Sequence, residues 1–508
     1  MSNHLSDALD LARASRFERQ FATTDDGRYY TYAHVDLVSA RFALAVRALG
    51  VRPGDRVAVQ VDKSIEALML YLGVVRAGAV FLPLNTAYTA AEIAYFAKNA
   101  EPALMVVSPD RAEDLAPVAA EAGARLETMG VWRGDGADHG SLFGHVPETA
   151  DGFADTLRGP DDLAAILYTS GTTGRSKGAM LTHGNLASNA LTLADAWAFT
   201  EHDVLIHALP IFHTHGLFVA TNVTLAAGGS LIFRERFKAE TILVDFERAT
   251  AMMGVPTFYT RLLDQTGLSA KRCRGMRLFV SGSAPLLADT HRSWSERTGH
   301  AILERYGMTE TSMNTSNPYG GERRAGTVGQ PLPGVEVIVA GPDGNPLPTG
   351  EIGSIEVRGP NVFAGYWRMP EKTAEEVRDT GFFITGDLGR YDEDGYLHIV
   401  GRAKDLIITG GFNVYPKEVE AAIDALPGVI ESAVIGIPHA DFGEGVVAVV
   451  VADQAGLTEA GILDPLDATL ARFKRPKRVF FTDSLPRNTM GKVQKNTLRQ
   501  QFSDVFKQ

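Results

Sequence analysis

The segment Tyr168-Thr-Ser-Gly-Thr-Thr-Gly-Arg-Ser-Lys-Gly178 gathers groups that hold anions. Gly171, Gly174 and Gly178 permit tight turns that face backbone N–H groups toward a phosphate. The hydroxyls of Thr169, Ser170, Thr172, Thr173 and Ser176 add donors, and Arg175 and Lys177 add charge. The spacing is not that of a Walker A loop, which needs G-x-x-x-x-G-K-[ST], because Lys177 is followed by Gly178. An apolar run, Leu163 to Thr169, leads into the loop, and a helical stretch begins near His183. A polar linker is the plainer reading, but it gives no reason for so many donors behind a buried strand.

Four further segments follow in order: Tyr306-Gly-Met-Thr-Glu310, Thr385-Gly-Asp387, Gly401-Arg402 and Pro486-Arg-Asn-Thr-Met-Gly-Lys492. With the loop, they resemble the signature motifs of the adenylate-forming superfamily of acyl-CoA synthetases, peptide-synthetase adenylation domains and luciferases. The likeness covers the chain from about residue 30 to its end. It implies a two-step reaction with ATP, Mg2+ and coenzyme A. A carboxylate acylates poorly until it is joined to AMP with pyrophosphate as leaving group. Bringing two anions together for that step calls for preorganised cations and N–H donors.

The resemblance assigns residues to that chemistry. Thr169, Ser170, Gly171, Thr172, Thr173, Gly174, Arg175, Ser176 and Lys177 would hold the ATP phosphates. Ser283, Ala284 and Pro285 would lie beside adenine, and Glu304, Arg305, Tyr306, Gly307, Met308 and Thr309 would line the nucleotide. Asp387 and Arg402 would hold the ribose hydroxyls. Glu310, with Thr169, is the expected Mg2+ ligand, since magnesium favours carboxylate and phosphate oxygens. Lys492 would bridge the carboxylate and the α-phosphate, and His213 would shield the activated acid from water. Lys492, His213, Thr169 and Glu310 are thus the expected catalytic set. Lys404 falls at the family's hinge, and Gly410 and Gly411 would line the coenzyme A channel.

Asp55 to Ser64, Phe81 to Tyr88, His207 to Gly216 and Glu304 to Glu310 resemble bacterial malonyl-CoA synthetases more narrowly. That likeness implies malonate as the acid. It puts Arg261, Arg305, Ser281, His207, His213, His215 and Met308 at the acyl pocket, with Arg261 and Arg305 as a clamp on the second carboxylate. A buried carboxylate must be paired, and a guanidinium does so with two parallel hydrogen bonds. Some activity on methylmalonate is expected, because one methyl group changes binding by only roughly 1–3 kcal/mol. The alternatives are a synthetase for another short or medium-chain acid, or an inactive adenylate-binding regulatory protein. Neutralising Lys492 by acetylation would remove the charge that adenylation needs, so an acetyltransferase and a deacetylase are expected partners. Sixteen residues follow Lys492, which favours free coenzyme A over a tethered carrier as acceptor.

The elements that must position these residues read as α/β. Helical spacing over Leu37 to Leu49 is followed by the strand Arg56 to Val61, a buried helix to Val75 and a strand near Ala79 to Leu82. Apolar runs at Leu163 to Thr169, Val204 to Pro210, Gly229 to Phe233 and Met276 to Gly282 suggest sheets covered on both faces by helices. After Gly326, short strands between Gly and Pro residues mark a β-rich subdomain, and from about residue 403 a compact α+β unit follows. The expected division is therefore 1–402, binding ATP and acid, and 403–508, a mobile domain carrying Lys492.

The 508 residues, 45% hydrophobic and 22% charged, fit a water-soluble globular protein of more than one domain. With 49 Lys plus Arg against 61 Asp plus Glu, the formal charge of −12 disfavours nucleic acid as a partner. The single Cys273 excludes an internal disulfide. The N-terminal residues lack the apolar run of a signal peptide, and no stretch reaches the roughly 20 apolar residues of a membrane span, so the cytoplasm is expected.

Overall fold

The computed structural model describes residues 3–131, 140–169, 176–453, 456–488 and 491–506. They form two compact units: residues 1–336 with 357–381, and residues 337–356 with 382–508.

Two sheets organise the first unit. One takes the strands Arg125–Thr128, Leu104–Val107, Arg56–Gln60, Val80–Pro83, Leu163–Thr169 and Lys177–Thr182 in that spatial order. Its pairs are parallel except the last, in which Thr169 faces Lys177 across an antiparallel ladder. The strands on either side of the phosphate-loop candidate are therefore neighbours in one antiparallel ladder. The helix His183–Ala196 begins only after that second strand, with Thr182 capping Asn185 N–H at 3.0 Å.

The second sheet has at its centre the parallel strands Leu303–Met308, Leu278–Ser281, Ala251–Gly254, Val204–His207 and Ser230–Phe233. All four residues of Leu278–Ser281 and of Ala251–Gly254 are buried, as expected for strands covered on both faces. The helix Ile65–Arg76 has every residue buried, and Ser64 caps it by accepting from Ala67 N–H at 3.1 Å. Its Arg76 is paired with Asp155 at 2.8 Å and Asp36 at 2.9 Å. Among the described residues, no helix is long and apolar enough to cross a membrane.

The second unit holds most of a sheet of Glu336–Ala340, Gly353–Arg358, Phe383–Tyr391 and Leu397–Arg402. It also holds a sheet built on the antiparallel pair Val429–His439 and Gly443–Ala452. The helix Pro416–Asp424 contacts both Leu397–Arg402 and Val429–His439. That packing is why the β-rich segment groups with the C-terminal residues, and the expected boundary after residue 402 falls inside this unit.

Candidate active site

Residues 170–175, most of the phosphate-loop candidate, lie outside the described residues, but both of its flanks are described. Thr169 Oγ1 donates to Lys177 O at 3.5 Å, and Ser176 O accepts from Tyr95 OH at 2.8 Å. The Lys177 ammonium lies 3.0 and 3.3 Å from the two oxygens of Glu376 and 4.0 Å from the Tyr366 ring centroid. Tyr366 OH lies 2.7 Å from Glu376 Oε2 and 3.1 Å from Glu310 Oε1. Burial pushes the Glu376 carboxyl up, but the bonds from Tyr366 and Lys177 outweigh it and hold the group below its ordinary range. Burial and the neighbouring Glu310 carboxylate raise the Tyr366 phenol, so it remains a donor. One hydroxyl thus links the expected metal ligand to the counter-ion of the loop lysine.

Glu304, Arg305, Tyr306, Gly307 and Met308 form most of the strand Leu303–Met308, with Thr309 just beyond it. Buried Glu310 is fixed through its backbone, its carbonyl accepting from Phe363 N–H at 2.8 Å. Among the described residues, no three His, Cys, Asp or Glu side chains group to hold a metal ion. Glu310 fits magnesium in the manner of nucleotide sites, where one or two carboxylates and the substrate's phosphates share the ion.

Arg305 has an unusual environment. It is 4% exposed, and its Nε and Nη2 find no hydrogen-bond partner among the described residues. Burial lowers its pKa to about 9. Ser281 Oγ and His215 Nε2 are likewise buried and unpaired. Burial pushes the His215 imidazole well down, followed by the charge of Arg305, so His215 is neutral. Its Nδ1 lies 3.2 Å from Ser283 Oγ, and Ser283 takes a left-handed φ of 69°. Gly282 makes room for the guanidinium, because a Cβ there would stand 2.4 Å from Arg305 Cζ. Arg305, Ser281 and His215 thus each carry a buried polar atom that has no partner among the described residues.

The charges of His213 and His207 also act on His215. Arg261 does not join Arg305 in a clamp. On the helix Pro256–Leu263, Tyr259 and Leu262 face the core, and Arg261, one helical turn from Phe258, is exposed. With Phe258 it lines a separate cavity of about 390 Å³ beside Lys63, Phe212, Glu235 and Arg236. His207 is 1% exposed, and protein groups occupy both of its ring nitrogens. His213 is half-buried, and its Nδ1 accepts from His215 N–H at 3.3 Å.

In the second unit, Asp387 and Arg402 face each other across paired strands, with Oδ1 and Nε 2.7 Å apart. Thr385 Oγ1 supports Asp387 by accepting its N–H at 3.1 Å. Lys404 lies exposed on the turn Ala403–Asp405. Gly410 and Gly411 form the two-residue turn between Ile407–Thr409 and Phe412–Val414, with φ of 57° and 84°, a pair that favours glycine at both places. Exposed Lys492 closes the turn that begins at Asn488, whose side chain accepts Lys492 N–H at 3.0 Å. Arg487, paired with Glu431, ties that turn to the strand Val429–His439.

The pattern of AMP-binding enzymes matches residues 11–367, and that of the AMP-binding enzyme C-terminal domain matches residues 418–492. The chain belongs to the AMP-binding enzyme family. Its structure is similar to ATP-bound MatB from Rhodopseudomonas palustris, with 59% identity, all of both chains covered and a TM-score of 0.95. By sequence it is similar to a feruloyl-CoA synthase of Amycolatopsis sp (37% identity, 99% of this chain, 100% of the relative). It is also similar to the malonate–CoA ligase of Arabidopsis thaliana (32% identity, 97% of this chain, 88% of the relative).

Within this AMP-binding enzyme, motif reasoning passed over Tyr366, Glu376 and Lys63. A signal existed for two of them. The loop lysine needs a counter-charge in the ligand-free protein, and the acid-rich run Glu371 to Glu376 follows Gly365-Tyr-Trp367. Lys63 carried no such mark.

Proposed function

We propose that this enzyme is an acid–thiol ligase that makes malonyl-CoA from malonate, ATP and coenzyme A through malonyl-AMP, releasing pyrophosphate and then AMP. The observation that carries the reading is Arg305, a buried guanidinium with two donor atoms unpaired among the described residues, whose charge acts on His215 and which lies under Gly282, the neighbour of Ser281. A fatty or aryl acid would leave those groups unmet, whereas the second carboxylate of malonate pairs with them. The likeness to ATP-bound MatB and to a malonate–CoA ligase supports the same choice.

In the first step, an oxygen of the reacting carboxylate bonds to the α-phosphorus and the bond to pyrophosphate breaks. Arg305, Ser281 and His215 hold the other carboxylate, which orients the reacting one. Lys492 meets the charge that builds between the two anions. Glu310 and Thr169 would hold magnesium, which would supply charge to offset that of the phosphates. Asp387 and Arg402 hold the ribose, and Ser283, Ala284 and Pro285 lie against adenine. In the second step, the coenzyme A sulfur bonds to the acyl carbon, the bond to AMP breaks and the thiol proton is lost. His213 keeps water from the mixed anhydride, and the second domain turns about Lys404 to bring Gly410 and Gly411 to the thiol. The exposed side chain of Lys492 is open to acetylation, which would switch off the first step. The single Cys273, buried and with its thiol pushed up to about 12 by burial, suits the reducing cytoplasm.

The test is thioester formation with malonate, methylmalonate, acetate, a medium-chain fatty acid and benzoate, with AMP and pyrophosphate release followed in parallel. Malonate should be preferred, with methylmalonate next. A monocarboxylate turned over faster than either would overturn the substrate assignment.

A further inference from the structure

The turn that carries His213 and His215 is anchored by a lysine outside every adenylation motif. Lys63 donates to Arg234 O at 2.6 Å, to His207 O at 2.8 Å and to His207 Nδ1 at 3.1 Å. Three acceptors call for all three hydrogens of an ammonium. Burial pushes this group down, and Asp25 and Glu235 oppose that. The far side of the imidazole decides its tautomer. His207 Nε2 lies 2.8 Å from Gly216 O, and a carbonyl only accepts, so Nε2 carries the proton. Nδ1 is then a lone pair, directed at the ammonium. Burial first, and the Lys63 charge second, keep the ring neutral.

Gly216 O accepts a second bond, from Thr221 Oγ1 at 3.0 Å. Gly216 and Thr221 belong to a π-helix, His215–Thr221, a wide turn that is rare and often marks functional sites. His215 is its first residue, and the Arg305 charge acts on its ring.

We propose that Lys63 is a positioning residue for the acid site. Acting through His207, it holds the Gly216 carbonyl and with it the π-turn that aims His215 beside Arg305 and Ser281. No bond to Lys63 is made or broken in the reaction. The inference rests on the reading of that pocket as the acid site, so the test uses whichever acid the wild-type enzyme prefers. A wrong acid assignment then shows in the wild type, and a wrong anchor shows only in the variants.

Lys63→Met keeps the apolar stem and removes the ammonium. It should lower kcat/KM for the acid by about 10- to 100-fold, as misplacement of a contact group does, with the KM for ATP nearly unchanged. Nitrogen-15 spectra of the histidine rings should show a protonated Nε2 and bare Nδ1 for His207 in the wild type, and loss of that fixed pattern in the variant. If Lys63→Met fails to fold, the comparison of His207→Gln with His207→Leu carries the test. The glutamine amide can still donate to Gly216 O and should retain more acid turnover than leucine. Wild-type acid kinetics in Lys63→Met, equal losses for acid and ATP, or equal losses in the two His207 variants would each overturn the proposal.

Discussion

Replacing Arg305 by methionine should make the ligand-free enzyme more stable and nearly useless with malonate. The guanidinium is 4% exposed and two of its nitrogens have no partner among the described residues. Burial takes its pKa down to about 9, against an ordinary arginine value of roughly 12.5 or above. At about 1.4 kcal/mol for each tenfold change in proton affinity, that is on the order of 5 kcal/mol against the charged form in the empty site. The direction in pH follows. The folded-state value is the lower one, so at neutral pH the arginine is charged folded and unfolded and the destabilisation is fully present. It fades as pH rises through about 9, where the folded protein can release the proton.

Methionine fills similar space without the charge, so thermal unfolding in a buffer free of small multivalent anions should show a higher Tm for Arg305→Met. Adding malonate should raise the Tm of the wild type and leave the variant unmoved, since a ligand stabilises only the state that binds it. Turnover should fall by about 30-fold or more, the cost of truncating one partner of a buried charge pair (about 2–5 kcal/mol). In the wild type, the KM for malonate should rise above pH about 9, as the empty pocket loses its charge. An Arg305→Met enzyme that melts below the wild type would refute the reasoning, because the guanidinium would then be stabilising the ligand-free fold.

Lys492→Gln, a neutral mimic of the acetylated side chain, should cut malonyl-AMP formation by about 100-fold or more while ATP binding, read by calorimetry, stays close to wild type; a full adenylation rate would sink the assignment. Tyr366→Phe removes the hydroxyl shared by Glu310 and Glu376, and should weaken the magnesium dependence of turnover by about 1–3 kcal/mol, the cost of unsatisfied buried groups. An unchanged magnesium titration would count against that link. Methylmalonate should be turned over within about 200-fold of malonate, the ceiling for discrimination by one methyl group, and complete absence of its thioester at saturation would contradict the pocket described.

What could be read ahead of the structure divides along physical lines. Strands such as Leu278–Ser281, apolar or small throughout, declared a sheet covered on both faces, and the run Ile65 to Val75 declared a buried helix, because burial leaves a local mark in composition. Motif residues likewise announced the Asp387–Arg402 pair, which lies across one ladder. Direction was harder to read. Arg261 and Arg305 looked alike as letters, but one faces outward from its helix and the other lies under Gly282. Contacts between distant segments were harder still. Lys177 and Glu376 are 199 positions apart and Lys63 and His207 are 144 apart, and no local periodicity couples them. The strand Lys177–Thr182 went unread because its charged start hid the pairing with Thr169.

The seat of Arg305 also has a history to tell. A methyl group at position 282 would press on the end of a flexible side chain rather than on backbone, so the fold would accept it and only the guanidinium would have to leave. One carbon atom on a neighbouring strand end is thus enough to erase a preference for diacids without touching the arginine. Across related chains, the two positions should be inherited together: where an arginine occupies the place of Arg305, a glycine should occupy that of Gly282, and lineages that turned to uncharged acids are free to lose either one first.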